Sequence, residues 1–247
     1  MLRHILRRLP LGWKQRLRVH LGVPDVRWTL SQLRRYGFSP GPVMDVGAFK
    51  GDWARICMDV FPSSSVTCVE PQERAQECLH RLAAAHPRMK VIQTLLGRAV
   101  KEVPFQEVGS GSSVWLEGPS DSKRAMTTID TLIESGSCRR PELLKLDVQG
   151  YEMEVLEGFT TYFNECQVLQ IEMSLMPVVK GTPLINEIMA YLHTRGFVMF
   201  DITGLYRSTS DGALWQMDAF FCHIDSPLRL NHVWESLPSG AKAFSEW

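Results

Sequence analysis

The feature that most constrains this chain is the stretch PVMDVGAFKG at residues 42–51, taken with SVTCVE at 65–70. An apolar run ends in Asp45. A turn containing Gly47 and Gly51 follows, then a helix-spaced set (Trp53, Ile56, Cys57, Val60) stopped by Pro62. The second apolar run, Ser65 to Val69, ends in Glu70. A buried strand, a glycine turn, an amphipathic helix and a second buried strand make one parallel crossover unit. Its ligand crevice lies at the carboxyl ends of the strands, where the two carboxylates fall.

The alternation continues. Ala75, Cys78, Leu79 and Leu82 repeat the helical spacing, and Met89 to Leu95 reads as a third strand. From about 97 to 126 the rhythm breaks into an irregular insert near the crevice. That insert holds VPFQEV, with one short strand, and the turn-rich GSGSS. Thr127 to Ile133 reads as a short extended piece, Glu142 to Val148 as a strand ending at Asp147, and Gly150 to Leu156 as a helix closed by Gly158. Val168 to Met173 is a strand carrying Glu172. Thr182 and Pro183 mark the start of a helix whose inner face is Ile185, Ile188, Met189 and Leu192, ended by Gly196. Phe197 to Ile202 and Asp218 to Ile224 have only a loop between them and are expected to form an antiparallel hairpin. The expected fold is therefore α/β and Rossmann-like. It has a mostly parallel seven-stranded sheet ending in that hairpin, the outline of class I methyltransferases.

Ahead of this domain (39–247) lies an arm, residues 1–38. Residues 1–20 carry six Lys/Arg and no acid, in a chain whose net charge is zero. Leu2, Ile5, Leu6 and Leu9 make a short basic amphipathic helix before Pro10. Two readings stand for it: an arm packed over the domain, or contact with an anionic membrane surface or the substrate. The zero net charge gives no field that favours nucleic acid. No apolar run approaches the ~18 residues of a membrane span, and the basic start lacks the apolar core of a secretory signal. The six cysteines form no CxxC pair and read as thiols of a reducing cytosol.

The crevice chemistry selects among nucleotide cofactors. A dinucleotide site seats a pyrophosphate on a helix N-terminus through closely spaced glycines. Here three residues separate Gly47 from Gly51, and Asp45 stands before them. A carboxylate there repels a pyrophosphate and suits the positively charged amino-acid end of S-adenosylmethionine. Glu70 is placed to accept hydrogen bonds from ribose hydroxyls. Asp147 at the end of the central strand is the leading candidate for the base that takes a hydroxyl proton. Glu172 is the alternative base or a substrate anchor, and Lys145, on the same side of the strand as Asp147, can hold a carboxylate in place. A magnesium ion on Asp147 and Glu172 is the right chemistry for lowering a hydroxyl pKa, but no ligand-spacing motif demands one. A nicotinamide-dependent oxidoreductase, a non-catalytic binding protein and an N-methyltransferase are the competing readings.

Several blocks carry a family resemblance: DVGA at 45–48, VEP at 69–71, TTID at 127–130, LLKLDVQGYEMEVLEG at 143–158, QIEMS at 170–174 and MDAFF at 217–221. In these the chain resembles the FkbM family of methyltransferases. The resemblance implies S-adenosylmethionine as methyl donor and O-methylation of hydroxyls on sugars, polyketides and related natural products. It implies a donor site formed by Asp45, Gly47, Ala48, Phe49 and Gly51 on the methionine side and Glu70 at the ribose. Ser112 and Ser113 match a serine pair near the adenosine. Two departures stand out. Phe49 occupies a position where the family commonly has Asn, and the stretch QTLLG, at the end of the third strand, lacks the acid that many class I enzymes use for the adenine amino group.

Overall fold

The computed structural model describes residues 24–105, 123–177 and 181–230. Its centre is a seven-stranded sheet in the order β3-β2-β1-β7-β8-β10-β9. The strands are β1 (Pro42–Val46), β2 (Ser65–Val69), β3 (Met89–Ile92), β7 (Leu143–Leu146), β8 (Val168–Ser174), β9 (Phe197–Arg207) and β10 (Leu214–His223). The first five in spatial order are parallel, and β10 runs antiparallel to both β8 and β9. The fold is thus the Rossmann-like α/β fold expected, hairpin included. The chain order turns around between β1 and β7, which opens the crevice at their carboxyl ends.

All five residues of β1 and all four of β7 are buried, as strands covered on both faces must be. On one side of the sheet, Met44, Leu144, Leu169, Ile171, Phe159 and Phe163 form a core with helices α5 (Glu152–Glu157) and α6 (Ile185–His193). On the other, Val43, Val66, Leu143 and Phe220 pack with α1 (Val26–Arg35) and α2 (Asp52–Val60). Helix α1 is capped by Asp25, whose carboxylate accepts the Trp28 N–H at 2.9 Å, and it buries Leu30 and Leu33 completely. It falls within the stretch expected as an arm, yet its inner face belongs to the core. The basic residues 1–20 and the serine pair Ser112–Ser113 lie outside the described residues.

Four local expectations are corrected. The third strand stops at Ile92, and Leu95–Leu96 (β4) joins a separate small sheet with β5 (Lys101–Pro104) and β6 (Lys123–Thr127). The break is at Gln93 and Thr94, whose side chains bond Glu73 and the Ala125 carbonyl instead of extending the ladder. The stretch after Thr127 is helical, α4 (Ile129–Glu134), because the Thr128 hydroxyl accepts the Thr131 N–H at 2.9 Å and caps it. Helix α6 starts at Ile185, not at Pro183. Leu184 is held extended by a bridge to Ser174, and the Glu187 carboxylate accepts its N–H at 2.8 Å. Ile188 and Leu192 are its buried pair, and Met189 stays 40% exposed. The hairpin strands are also longer than expected, because pairing continues past Gly204, which sits opposite Asp218.

Helix α3 (Glu73–Ala85) completes the layer beside β2 and β3. All six cysteines are free thiols, and no helix among the described residues is long and apolar enough to cross a membrane.

Candidate active site at the strand ends

The site is built first from backbone turns. After β1, Gly47 adopts φ 74°, and its N–H donates to the Val69 carbonyl at 2.9 Å. A methyl group at Gly47 would strike the Asp147 carbonyl oxygen, so glycine is required for the two strand ends to approach this closely. Phe49 is also left-handed, at φ 43°, a conformation that Asn tolerates better than a bulky ring. It is held there by its N–H, which donates to Glu70 at 2.7 Å. Gly51 (φ 79°) starts α2, and a Cβ there would press on Leu82 at 2.7 Å.

The second turn, after β7, is wound around a buried carboxylate. Glu152 accepts the N–H groups of Val148 (3.0 Å) and Gly150 (3.2 Å), with Gln149 at φ 55° and Gly150 at φ 92° between. Burial pushes the Glu152 carboxyl up to about 7, although these N–H bonds oppose it.

Between the two turns runs a row of ionisable groups fixed by strand register. Asp45 pairs with Lys145, and Asp218 stands opposite Glu172. Lys145 is the hub. Its ammonium lies 3.1 Å from Asp45 Oδ1 and 3.5 Å from Asp147 Oδ2, and it donates to the Gly47 carbonyl at 2.9 Å. Burial alone would lower its pKa, but the charges of Asp45 and Asp147 outweigh that and hold it above the ordinary lysine value. Glu172 accepts the amides of Gln149 (3.0 Å) and Gln216 (2.9 Å). Burial, reinforced by the nearby Asp147, Glu152 and Asp218, pushes its carboxyl up to about 9, so it keeps its proton at neutral pH.

Two cavities meet here. The first, about 770 Å³ including its open mouth, is bounded by Glu70, Leu95, Leu96, Phe105 and Tyr151. The second, about 700 Å³ on the same measure, is bounded by Ala48, Trp53, Lys145, Tyr206 and Asp218. Gly47, Phe49 and Asp147 line both.

The expected site residues therefore separate into groups. Gly47, Phe49 and Glu70 line the first cavity. Ala48 lines only the second, and Gly51 lines neither, being spent on the start of α2. Asp45 was expected to touch the cofactor. It is 0% exposed, lines neither cavity and lies 3.1 Å from the Lys145 ammonium. Asp147 stands at the junction with its side chain 34% exposed. Glu172 lies behind it and lines neither cavity. The end of strand three contributes Thr94, Leu95 and Leu96 to the first cavity and no acid, as QTLLG foretold. Tyr151 and Phe105 were missed. No spacing in the sequence singles them out, and only the small sheet and the second turn bring them to the cavity.

The match of known family to geometry is direct: residues 45–199 fit the model of the methyltransferase FkbM domain. The chain belongs to the FkbM methyltransferase family. It is an S-adenosylmethionine-dependent methyltransferase, and the part matched runs from the first turn through the start of β9. No curated protein matches its sequence. Among solved structures, the precorrin-6y C5,15-methyltransferase of Geobacter metallireducens GS-15 is 8% identical, with TM-score 0.46, over 80% of this chain and 87% of that one. Magnesium protoporphyrin IX methyltransferase of Synechocystis PCC 6803, with bound SAM, is 12% identical, with TM-score 0.46, over 80% of this chain and 77% of that one. Aeropyrum pernix fibrillarin, in complex with S-adenosyl-L-methionine, is 11% identical, with TM-score 0.43, over 77% and 74%.

The first cavity fits the donor that this family uses. Its floor is a glycine turn with no room for a side chain, its walls include Leu95, Leu96 and Phe105, and it holds two carboxylates: Glu70, pinned by two backbone N–H groups, and Asp147 at the junction with the second cavity. Among the described residues, no group of three or more His, Cys, Asp or Glu is disposed to hold a metal ion.

Proposed function

We propose that this FkbM-family protein is an O-methyltransferase acting on a hydroxyl of a small molecule such as a sugar or natural product. The observation that carries the reading is the position of Asp147, on the wall shared by the two cavities. A group that takes a proton from an acceptor must reach the acceptor and also lie beside the donor, and a place on the shared wall supports that role for Asp147.

S-adenosylmethionine, when bound, supplies a methyl group already activated on a sulfonium sulfur. The protein's task is then to align and to shield. Glu70, fixed by the N–H groups of Phe49 (2.7 Å) and Gln72 (2.9 Å), keeps acceptor capacity for ribose hydroxyls. Leu95, Leu96 and Phe105 offer an apolar wall to the base. The Gly47 turn lets backbone approach the ligand, and Lys145 fixes that turn through its carbonyl. Asp147 accepts the hydroxyl proton, and Lys145 orients its carboxylate. Glu172, which lines neither cavity and whose carboxyl burial holds toward its protonated form, serves in this reading as the neighbour that Gln149 and Gln216 hold in place. Asp45 contributes by keeping Lys145 charged.

The test is a labelled-methyl assay on glycosides, hydroxylated aromatic compounds and amines, run on wild type and Asp147→Asn. Transfer to a hydroxyl that depends on Asp147 is expected. Transfer to amines alone, or undiminished transfer in the variant, overturns the assignment.

A further inference from the structure

The second cavity is defined by different parts of the chain from the first. Trp53 comes from α2, Val26 from the start of α1, and Tyr206 and Asp218 from the terminal hairpin. Register sets Asp218 on the same transverse row as Glu172 and opposite Gly204. A side chain at Gly204 would crowd Asp218 Oδ2, 2.6 Å from the place of its Cβ. The Tyr206 hydroxyl donates to that same oxygen at 2.6 Å. One carboxylate oxygen is thereby anchored, and the other has no hydrogen-bond partner among the described residues.

The balance of charge in this cavity is also informative. Asp147 and Asp218 stand on its inner wall with Lys145. Lys145 is already engaged by Asp45, Asp147 and the Gly47 carbonyl, so it offers little to an incoming anion. Lys50 is at the exposed rim, with its ammonium 5.3 Å from the centre of the Phe49 ring. Trp53, whose indole N–H donates to Gln170 at 2.7 Å, and Tyr206 present aromatic surface beside the carboxylates. Aromatic rings next to hydrogen-bond acceptors suit a ring that is apolar on its face and hydroxylated at its edge.

We infer that the second cavity is the acceptor site, that Asp218, anchored by Tyr206, is the residue that fixes the acceptor's orientation, and that the site takes uncharged hydroxylated rings and excludes those bearing a carboxylate or phosphate. This rests on the reading of the first cavity as the donor site. Asp218 and Tyr206 line only the second cavity, so the two readings can be tested apart.

The experiment uses the full chain with S-adenosylhomocysteine. Its probes are phenyl β-D-glucopyranoside and phenyl β-D-glucuronide, which differ only in a hydroxymethyl against a carboxylate. Binding is read by ligand-observed NMR titration, and S-adenosylhomocysteine affinity by calorimetry. The glucoside is expected to bind at least roughly tenfold more tightly than the glucuronide, the cost of placing a carboxylate against Asp147 and Asp218. Asp218→Asn should narrow that gap and weaken the glucoside several-fold, as should Tyr206→Phe to a smaller degree. Neither should change S-adenosylhomocysteine affinity, which also certifies that the variants are folded. Equal binding of the two probes, tighter glucuronide binding, no glucoside binding by a chain that binds S-adenosylhomocysteine, or variants with wild-type glucoside affinity each overturn the inference. A chain that binds no S-adenosylhomocysteine overturns the donor reading as well.

Discussion

The two cavities are built by different means. The donor side is mainly backbone: two left-handed turns, at Gly47–Phe49 and Gln149–Gly150, each tied through N–H groups to a buried carboxylate, Glu70 or Glu152. The acceptor side is mainly side chains, drawn from α1, α2 and a hairpin more than a hundred residues further along. A backbone-built site depends on a few conformations that only certain residues allow, so it tolerates little change. A side-chain wall can be rewritten one residue at a time without disturbing the strands behind it. The contrast fits an enzyme whose donor is fixed and whose acceptor varies.

That contrast can be broken by substitution, and the largest effect is expected at Gly47. Gly47→Ala combines a left-handed backbone, which costs a non-glycine residue about 1–2 kcal/mol, with a collision against the Asp147 carbonyl. Calorimetry should find no S-adenosylhomocysteine binding at ordinary protein concentrations. Wild-type affinity would mean that the turn has room to spare and that the donor side is not set by backbone.

Next comes Asp45→Asn, which leaves Lys145 without the charge 3.1 Å away. Removing one partner of a buried pair costs about 3–5 kcal/mol, lessened here because Asp147 remains near the ammonium. The loss should appear in urea unfolding. If stability is unchanged while donor affinity collapses, Asp45 meets the ligand directly.

Asp147→Asn should reduce turnover by roughly a hundredfold or more, with donor affinity changed far less. A fall in affinity with turnover per bound complex intact would make the residue a binding group only.

The smallest effect is a pH dependence. An ordinary glutamate, in the unfolded chain, ionises near 4.5, whereas folded Glu172 keeps its proton up to about 9. Between those values the folded state binds the extra proton, so stability falls as pH rises, by as much as about 1.4 kcal/mol per pH unit. Glu152 acts in the same direction only up to about 7. Chemical denaturation at pH 7, 8 and 9 should therefore show wild type losing stability faster than Glu172→Gln. Parallel curves would show that Glu172 is already ionised at neutral pH.

The same division explains what could be read from sequence. PVMDVGAFKG and SVTCVE announce two strands, the turn between them and the carboxylate that follows the second, because glycine and local spacing dictate them, and Gly47 and Glu70 both line the first cavity. The direction of Asp45 was not legible. Alternation along β1 gives two faces, but which face holds the ligand depends on β7 and its lysine. Glu172 is legible as a carboxylate carried by its strand, yet its seclusion depends on Gln216, 44 residues away. Tyr206 falls in the stretch expected as a loop, and its bond to Asp218 needed the extended hairpin, whose pairing past Gly204 no local spacing announces. Helix α4 escaped notice because its cap, Thr128, sits in a β-branched stretch that also suits a strand.

β10 closes the sequence of strands but occupies an interior lane of the sheet, between β8 and β9. During synthesis, β9 leaves the ribosome with no ladder partner on either side and waits until residues 214–223 have followed it out. Only then are Tyr206 and Asp218 brought together. A chain ending before Leu214 would lack Asp218 and the pairing that holds Tyr206 beside it, and with them one wall of the second cavity.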